Sequence, residues 1–135
     1  MSVIRIAAAV ILGPDGRMLL VRKRGTEAYM LAGGKLDEGE SAVEALRREV
    51  AEELGCGIAS PPEPLGRYSA PAANEAGHVV EAELFAVTLD GEIAPAAEIE
   101  EAIWHDPADF DSRLLAPLAR TYALPLARKL GESVP

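Results

Sequence analysis

Apolar residues fill Val3 to Leu12 and return from Arg17 to Arg24, and the two stretches flank Gly13-Pro14-Asp15-Gly16, whose residues favour a tight turn. The pattern predicts two strands of a hairpin. A short third strand, Tyr29 to Leu31, runs into Gly33-Gly34. From Ser41 to Leu54 the spacing becomes helical: Val43, Leu46, Val50 and Leu54 form an apolar stripe, Ser41 with Glu44 makes a capping box, and Gly55 supplies a stop. After the Pro-rich connection Ser60 to Pro64, strands are expected at Leu65 to Ser69, at Val79 to Leu89 before the Asp90-Gly91 turn, and at Ile99 to Trp104. Pro107 to Phe110 reads as a short helix start, and Leu114 to Leu130 as a helix interrupted by Pro117 and Pro125. No repeat, low-complexity tract or long linker divides the chain, so a single α/β domain over residues 1–135 is expected.

A chain of 135 residues can bury one core without covalent staples. Its single cysteine, Cys56, cannot form an intramolecular disulfide, which suits a reducing compartment and predicts a cytoplasmic protein. The apolar run Ile6 to Leu12 is too short for a membrane span and lacks a small-residue cleavage site. Formal charge is -9, from 22 acidic and 13 basic residues, which argues against nucleic acid as a partner. Clustered carboxylates have a second use: they attract a divalent cation, which can then carry an anionic substrate.

Such a cluster lies on the predicted helix. At about 100 degrees per residue, Glu49, Glu52 and Glu53 share one stripe beside the apolar one. Glutamates on a helix usually form a solvated face, and Arg48 stands at helical spacing from Glu44 and Glu52. Glu49 and Glu53 have no basic residue three or four positions away within the helix, while Ala42 and Ala45 leave room beside them. Carboxylates without counter-charges suit Mg2+, with Mn2+ as the substitute.

The run Gly34-Lys35-Leu36-Asp37-Glu38-Gly39-Glu40, followed by Arg48-Glu49-Val50-Ala51-Glu52-Glu53-Leu54-Gly55-Cys56, resembles the Nudix box, Gly-x5-Glu-x7-Arg-Glu-U-x-Glu-Glu-x-Gly-U, with U a bulky aliphatic. All seven fixed residues are present, and Cys56 alone departs, standing where an aliphatic is usual. Ala32 occupies a position where many members of that family have proline before the paired glycines. The resemblance implies an α/β/α sandwich with a mixed sheet and a metal-dependent hydrolase that cleaves a diphosphate linked to another moiety. It implies Glu49, Glu52, Glu53 and the carbonyl of Gly33 as metal ligands, with a downstream ligand among Glu98, Glu100 and Glu101, of which Glu98 is taken forward. Glu49 or Glu52 is the expected general base, with Glu98, Glu100 or Glu101 as the fallback, and Arg48 and Glu40 are expected to support the glutamates.

Arg22, Arg24 and Lys35 are candidates for substrate phosphates; strand alternation would turn Lys23 away from Arg22 and Arg24. Tyr29 is a candidate for stacking on a base, as are Tyr68 and Trp104. His78 and His105 have no partner at metal-ligand spacing and are read as structural or exposed. The resemblance to the compact MutT-like branch makes a nucleoside triphosphate the leading substrate, with ADP-ribose or a nucleotide sugar the alternative; Pro71, fifteen residues after Cys56, favours the latter. A Nudix domain that binds a ligand without cleaving it is the rival reading, and monomer and homodimer both stay open.

Overall fold

Both edges of the first strand are occupied, and that decides the architecture. The computed structural model describes residues 2–73 and 75–132. Strand β1 (Ser2–Ile11) pairs antiparallel with β3 (Ala32–Lys35) on one side and parallel with β6 (His78–Val87) on the other. β5 (Glu63–Pro71) completes a mixed four-stranded sheet in the order β3-β1-β6-β5. β2 (Met18–Lys23) therefore cannot zip along β1 as a simple hairpin would. It pairs antiparallel with β8 (Ile99–His105), and the expected hairpin survives only as the bridge Leu12 to Met18 around the turn. Two short strands, β4 (Gly57–Ile58) and β7 (Leu89–Asp90), pair separately.

Helix α1 (Ala42–Leu54) forms as its caps dictate. The Glu44 N–H donates to Ser41 Oγ at 3.1 Å, the Ser41 N–H donates to the Glu44 carboxylate at 2.9 Å, and Gly55 ends the helix in the left-handed region at φ 68. Leu46, Val50 and Leu54 are fully buried against Ala7, Ala9 and Ile11, one face of β1. The opposite face, Ala8 and Val10, packs with Leu84, Leu118 and α2 (Leu124–Glu132). Helices thus cover both sides of the sheet. Burying these three aliphatic side chains contributes roughly 5–9 kcal/mol of gross hydrophobic stabilisation before chain entropy is counted.

The C-terminal helical region keeps its two prolines by different means. Pro117 falls at the start, where its missing N–H costs nothing. Before Pro125 the backbone widens into a π-turn, Ala119–Ala123, with the Leu124 N–H reaching back to the Ala119 carbonyl. Pro107 to Phe110 is a turn, not a helix: the Asp106 carboxylate takes the Ala108 N–H at 2.9 Å and its carbonyl takes the Asp109 N–H.

The third strand lies three residues later than its hydrophobicity suggests. Tyr29 and Met30 make only single bridges, and the strand contains both Gly33 and Gly34, residues that ordinarily weaken strands. Their missing side chains make way for neighbours. A Cβ on Gly33 would lie 2.2 Å from the Ala7 carbonyl oxygen, and one on Gly34 would lie 2.5 Å from the Glu49 carboxyl carbon. At the far edge, β5 is interrupted by a bulge between Pro64 and Gly66. Among the described residues no helix is long and apolar enough to cross a membrane.

Candidate active site

A cavity of about 450 Å3 opens where β3, the glutamate face of α1 and the loop before β8 meet. Glu49, Glu52, Glu53 and Glu98 line one end together with Gly33, Gly34 and the cations Lys23 and Lys35. Helical spacing places the first three; the two glycines let the strand approach closely enough for them to face it. Ala45, expected to leave room, is fully buried, so the space lies over the paired glycines and not beside the alanines.

Glu53 is the buried member, with 6% of its surface exposed. The Gly33 N–H donates to its Oε1 at 2.9 Å. Burial raises its pKa to about 7, the Gly33 hydrogen bond opposes that rise, and the Glu49 charge adds to it. A carboxylate held in that environment is stabilised by a nearby positive charge.

Arg48 organises the other glutamates. Its Nε and Nη2 donate to the two carboxylate oxygens of Glu40, each at 2.9 Å, its Nη1 meets Glu49 at 2.7 Å, and its Nη2 reaches the Lys35 carbonyl at 3.0 Å. The expectation that Glu49 lacks a local counter-charge is therefore corrected. Side chains of adjacent helical residues diverge at Cβ, but the long guanidinium turns back to its neighbour. Glu52 lies farther from Arg48, at 3.7 Å. Hydrogen bonds from Arg48 and from the Asp37 N–H hold the Glu40 carboxyl at about 2, so the Arg48 clamp persists across the neutral range.

The donor set fits a hard divalent cation, because the acidic end offers carboxylate oxygens and no Cys or His lines the cavity among the described residues. As they stand, no three acidic, His or Cys side chains among the described residues converge into a metal-binding group. Glu49 and Glu53 each engage one oxygen, Oε1, with Arg48 and the Gly33 N–H respectively, so a cation would be met by their second oxygens.

Of the three downstream glutamates, Glu98 alone lines the cavity. Its predecessor Ala97 has φ 55, a left-handed conformation that costs an alanine about 1–2 kcal/mol. The loop is fixed there by the Ala94 N–H on the Leu54 carbonyl, the Ala96 N–H on the Glu53 carbonyl and the Arg24 N–H on the Glu98 carbonyl. Glu100 pairs with Arg24 at 3.4 Å, and Glu101 with Arg22 at 2.9 Å, also receiving the Tyr29 hydroxyl at 2.5 Å.

Those ion pairs place Arg22, Arg24 and Tyr29 outside the residues that line the cavity. Arg22 faces Glu101 directly across the β2–β8 ladder, so the pair ties two strands together. Lys35 lines the cavity as expected, and Lys23, set aside by strand alternation, lines it too. Tyr68 stacks on Tyr122 with ring centres 4.8 Å apart and donates to the Leu65 carbonyl; Trp104 packs over Gly13. His105 is buried, with Nε2 against the Asp109 carbonyl at 2.6 Å. Beyond the glutamates the cavity wall is aliphatic, built from β1, β6 and the start of the C-terminal helical region. Nothing local in the sequence marks that wall, since its parts come together only in the fold.

Known proteins resemble this chain in sequence and in fold. The ADP-ribose pyrophosphatase of Methanocaldococcus jannaschii is 30% identical over 104 residues, which are 75% of this chain and 61% of that protein. The chain spans less than two thirds of the length of the curated relatives it matches. The solution structure of the E. coli ORF135 protein superposes with a TM-score of 0.75 at 26% identity, covering 100% of this chain and 96% of that one. The MutT protein of Methanosarcina mazei Go1, at 21% identity and TM-score 0.76 over 98% of this chain and 97% of that one, shares the fold. The NUDIX domain family model matches residues 3–128, nearly the whole chain, and the chain belongs to that family.

Proposed function

We propose that this chain is a metal-dependent hydrolase cleaving a diphosphate bond in a nucleoside diphosphate linked to another moiety, with nucleoside triphosphates the leading class. The observation that carries this reading is Glu53, a buried carboxylate raised in pKa by its surroundings, at the acidic end of a cavity large enough for a nucleotide. Glu49, Glu52, Glu53 and the Gly33 carbonyl would hold Mg2+ or Mn2+, with Glu98 reaching in from its fixed loop. When bound, the metal neutralises diphosphate charge and lowers the pKa of an attacking water. Lys23 and Lys35 receive phosphate oxygens at the rim. Of the two candidate bases, Glu49 is clamped by Arg48 whereas Glu52 approaches it only at 3.7 Å, so a Glu52 oxygen not taken by the metal is the better placed to accept the proton.

A second reading, ADP-ribose as substrate, is favoured by Pro71, which lines the cavity, and by the name of the Methanocaldococcus jannaschii relative. A turnover screen with Mg2+ over nucleoside triphosphates, nucleotide sugars and ADP-ribose separates the two. Expected is cleavage that EDTA abolishes, with a nucleoside monophosphate among the products. Absence of turnover on every diphosphate would leave a ligand-binding domain.

Arg48→Lys is expected to lower kcat about 10- to 100-fold with little change in thermal stability. A lysine cannot bond both Glu40 oxygens and Glu49 at once. Steady-state rates beside a melting curve check this, and a variant with unaltered kcat would show that the clamp does not position Glu49.

A further inference from the structure

The cavity has two chemically distinct ends. Away from the glutamates its wall is formed by Ile4, Ile6, Leu31, Val80, Leu118 and Ala119. Ile4 and Val80 sit opposite each other in the parallel β1–β6 register, so the aliphatic surface is continuous across two strands. No Tyr, Trp, Phe, His, Ser, Thr, Asn or Gln side chain among the described residues lines the cavity. Glu75, which lines it from the β5–β6 loop, is paired with Lys35 at 3.4 Å. Among the described residues that line the cavity, a nucleobase entering here meets no ring to stack on and no side-chain amide or hydroxyl to read its edge.

We propose that the group attached to the diphosphate is held by aliphatic contact, and that this enzyme selects substrates by size and apolar surface, not by the hydrogen-bond pattern of a base. The inference rests on the hydrolase reading above. A site that hydrogen-bonds its substrate rejects an analogue lacking the partner by about 10⁴-fold, whereas an apolar wall distinguishes one methyl group by roughly 10- to 200-fold. These two behaviours are far enough apart to measure.

The test is kcat/KM with Mg2+ for dGTP against dITP, dCTP against dUTP, and dTTP against dUTP. The first two pairs change polar groups at nearly constant size and are expected to differ by less than about tenfold. The third adds a methyl group and is expected to favour dTTP by about tenfold. Val80→Ala and Leu118→Ala should each raise KM for all five nucleotides by a similar factor, about tenfold, with little change in kcat. A preference above 100-fold within either size-matched pair would overturn the inference while leaving the hydrolase reading intact. If none of the five is hydrolysed, the hydrolase reading fails for this class, and Kd values from calorimetry with Mg2+ decide the inference. Even affinities within the size-matched pairs support it; a 100-fold split, or no binding, overturns it.

Discussion

Replacing Glu53 with Gln is expected to make the metal-free protein more stable at pH 8 and to lower its turnover at least about 100-fold. The carboxyl titrates at about 7 in the fold and near 4.5 in a free chain, so between those values the folded state holds a proton that the unfolded state has released. Below pH 4.5 the group is neutral in both states and costs nothing. Stability then falls as pH rises toward 7, and above 7 the penalty is complete, at about 3 kcal/mol by the size of the shift. Glutamine keeps an oxygen for the Gly33 N–H and never ionises, so the variant avoids the penalty. Denaturation of both proteins in EDTA at pH 5 and pH 8 measures the difference, which should be present at pH 8 and small at pH 5. Added Mg2+ should raise the wild type at pH 8 more than the variant, since a ligand that binds only the folded state stabilises it. A wild type as stable as the variant at pH 8 without metal would remove the case for a strained carboxylate.

The paired glycines are expected to fail in opposite ways. Gly33→Ala sets a Cβ 2.2 Å from the Ala7 carbonyl oxygen and 2.7 Å from the Ala8 Cα, at φ +145. Backbone cannot step aside there, and the loss should exceed about 4 kcal/mol, enough to unfold a domain of ordinary stability. Gly34→Ala instead meets the end of the Glu49 side chain, at 2.5 Å from its carboxyl carbon. That side chain can swing away, so the fold should survive with a loss of about 1 kcal/mol while kcat falls on the order of 100-fold. Melting curves and steady-state rates of the two variants give the contrast. Full activity in Gly34→Ala would mean that Glu49 is not needed where it sits.

These same glycines show where a reading of the sequence stops. The capping box of Ser41 and Glu44, the stop at Gly55 and the stripe of Leu46, Val50 and Leu54 depend on residues within a few positions of one another, and the helix follows from them. The strand at Gly33 and Gly34 depends on Ala7 and Glu49, which lie far away in the chain, so local hydrophobicity points to Tyr29–Leu31 instead. The glutamate stripe and the seven-residue motif mark the acidic end of the cavity by local spacing alone. The burial of Glu53 does not follow from the stripe, because helical spacing says which residues share a face but not how close a strand lies over it. The basic run shows the same limit. Alternation separates Lys23 from Arg22 and Arg24, but only the partners Glu100 and Glu101 on β8 reveal that the two arginines are engaged there.

The interrupted edge strand bears on how copies of this chain can meet. Strand β5 exposes its outer edge, and a bare edge invites another chain to add a strand. Pro64 and Pro71 have no N–H to offer, and the bulge beside Gly66 breaks the spacing that a continuous ladder needs. Growth of the sheet by edge-to-edge addition is thereby blocked along β5. The protein is protected on that side against strand-templated aggregation, and any pairing of two copies through this edge would have to rely on side chains, not on a shared backbone ladder.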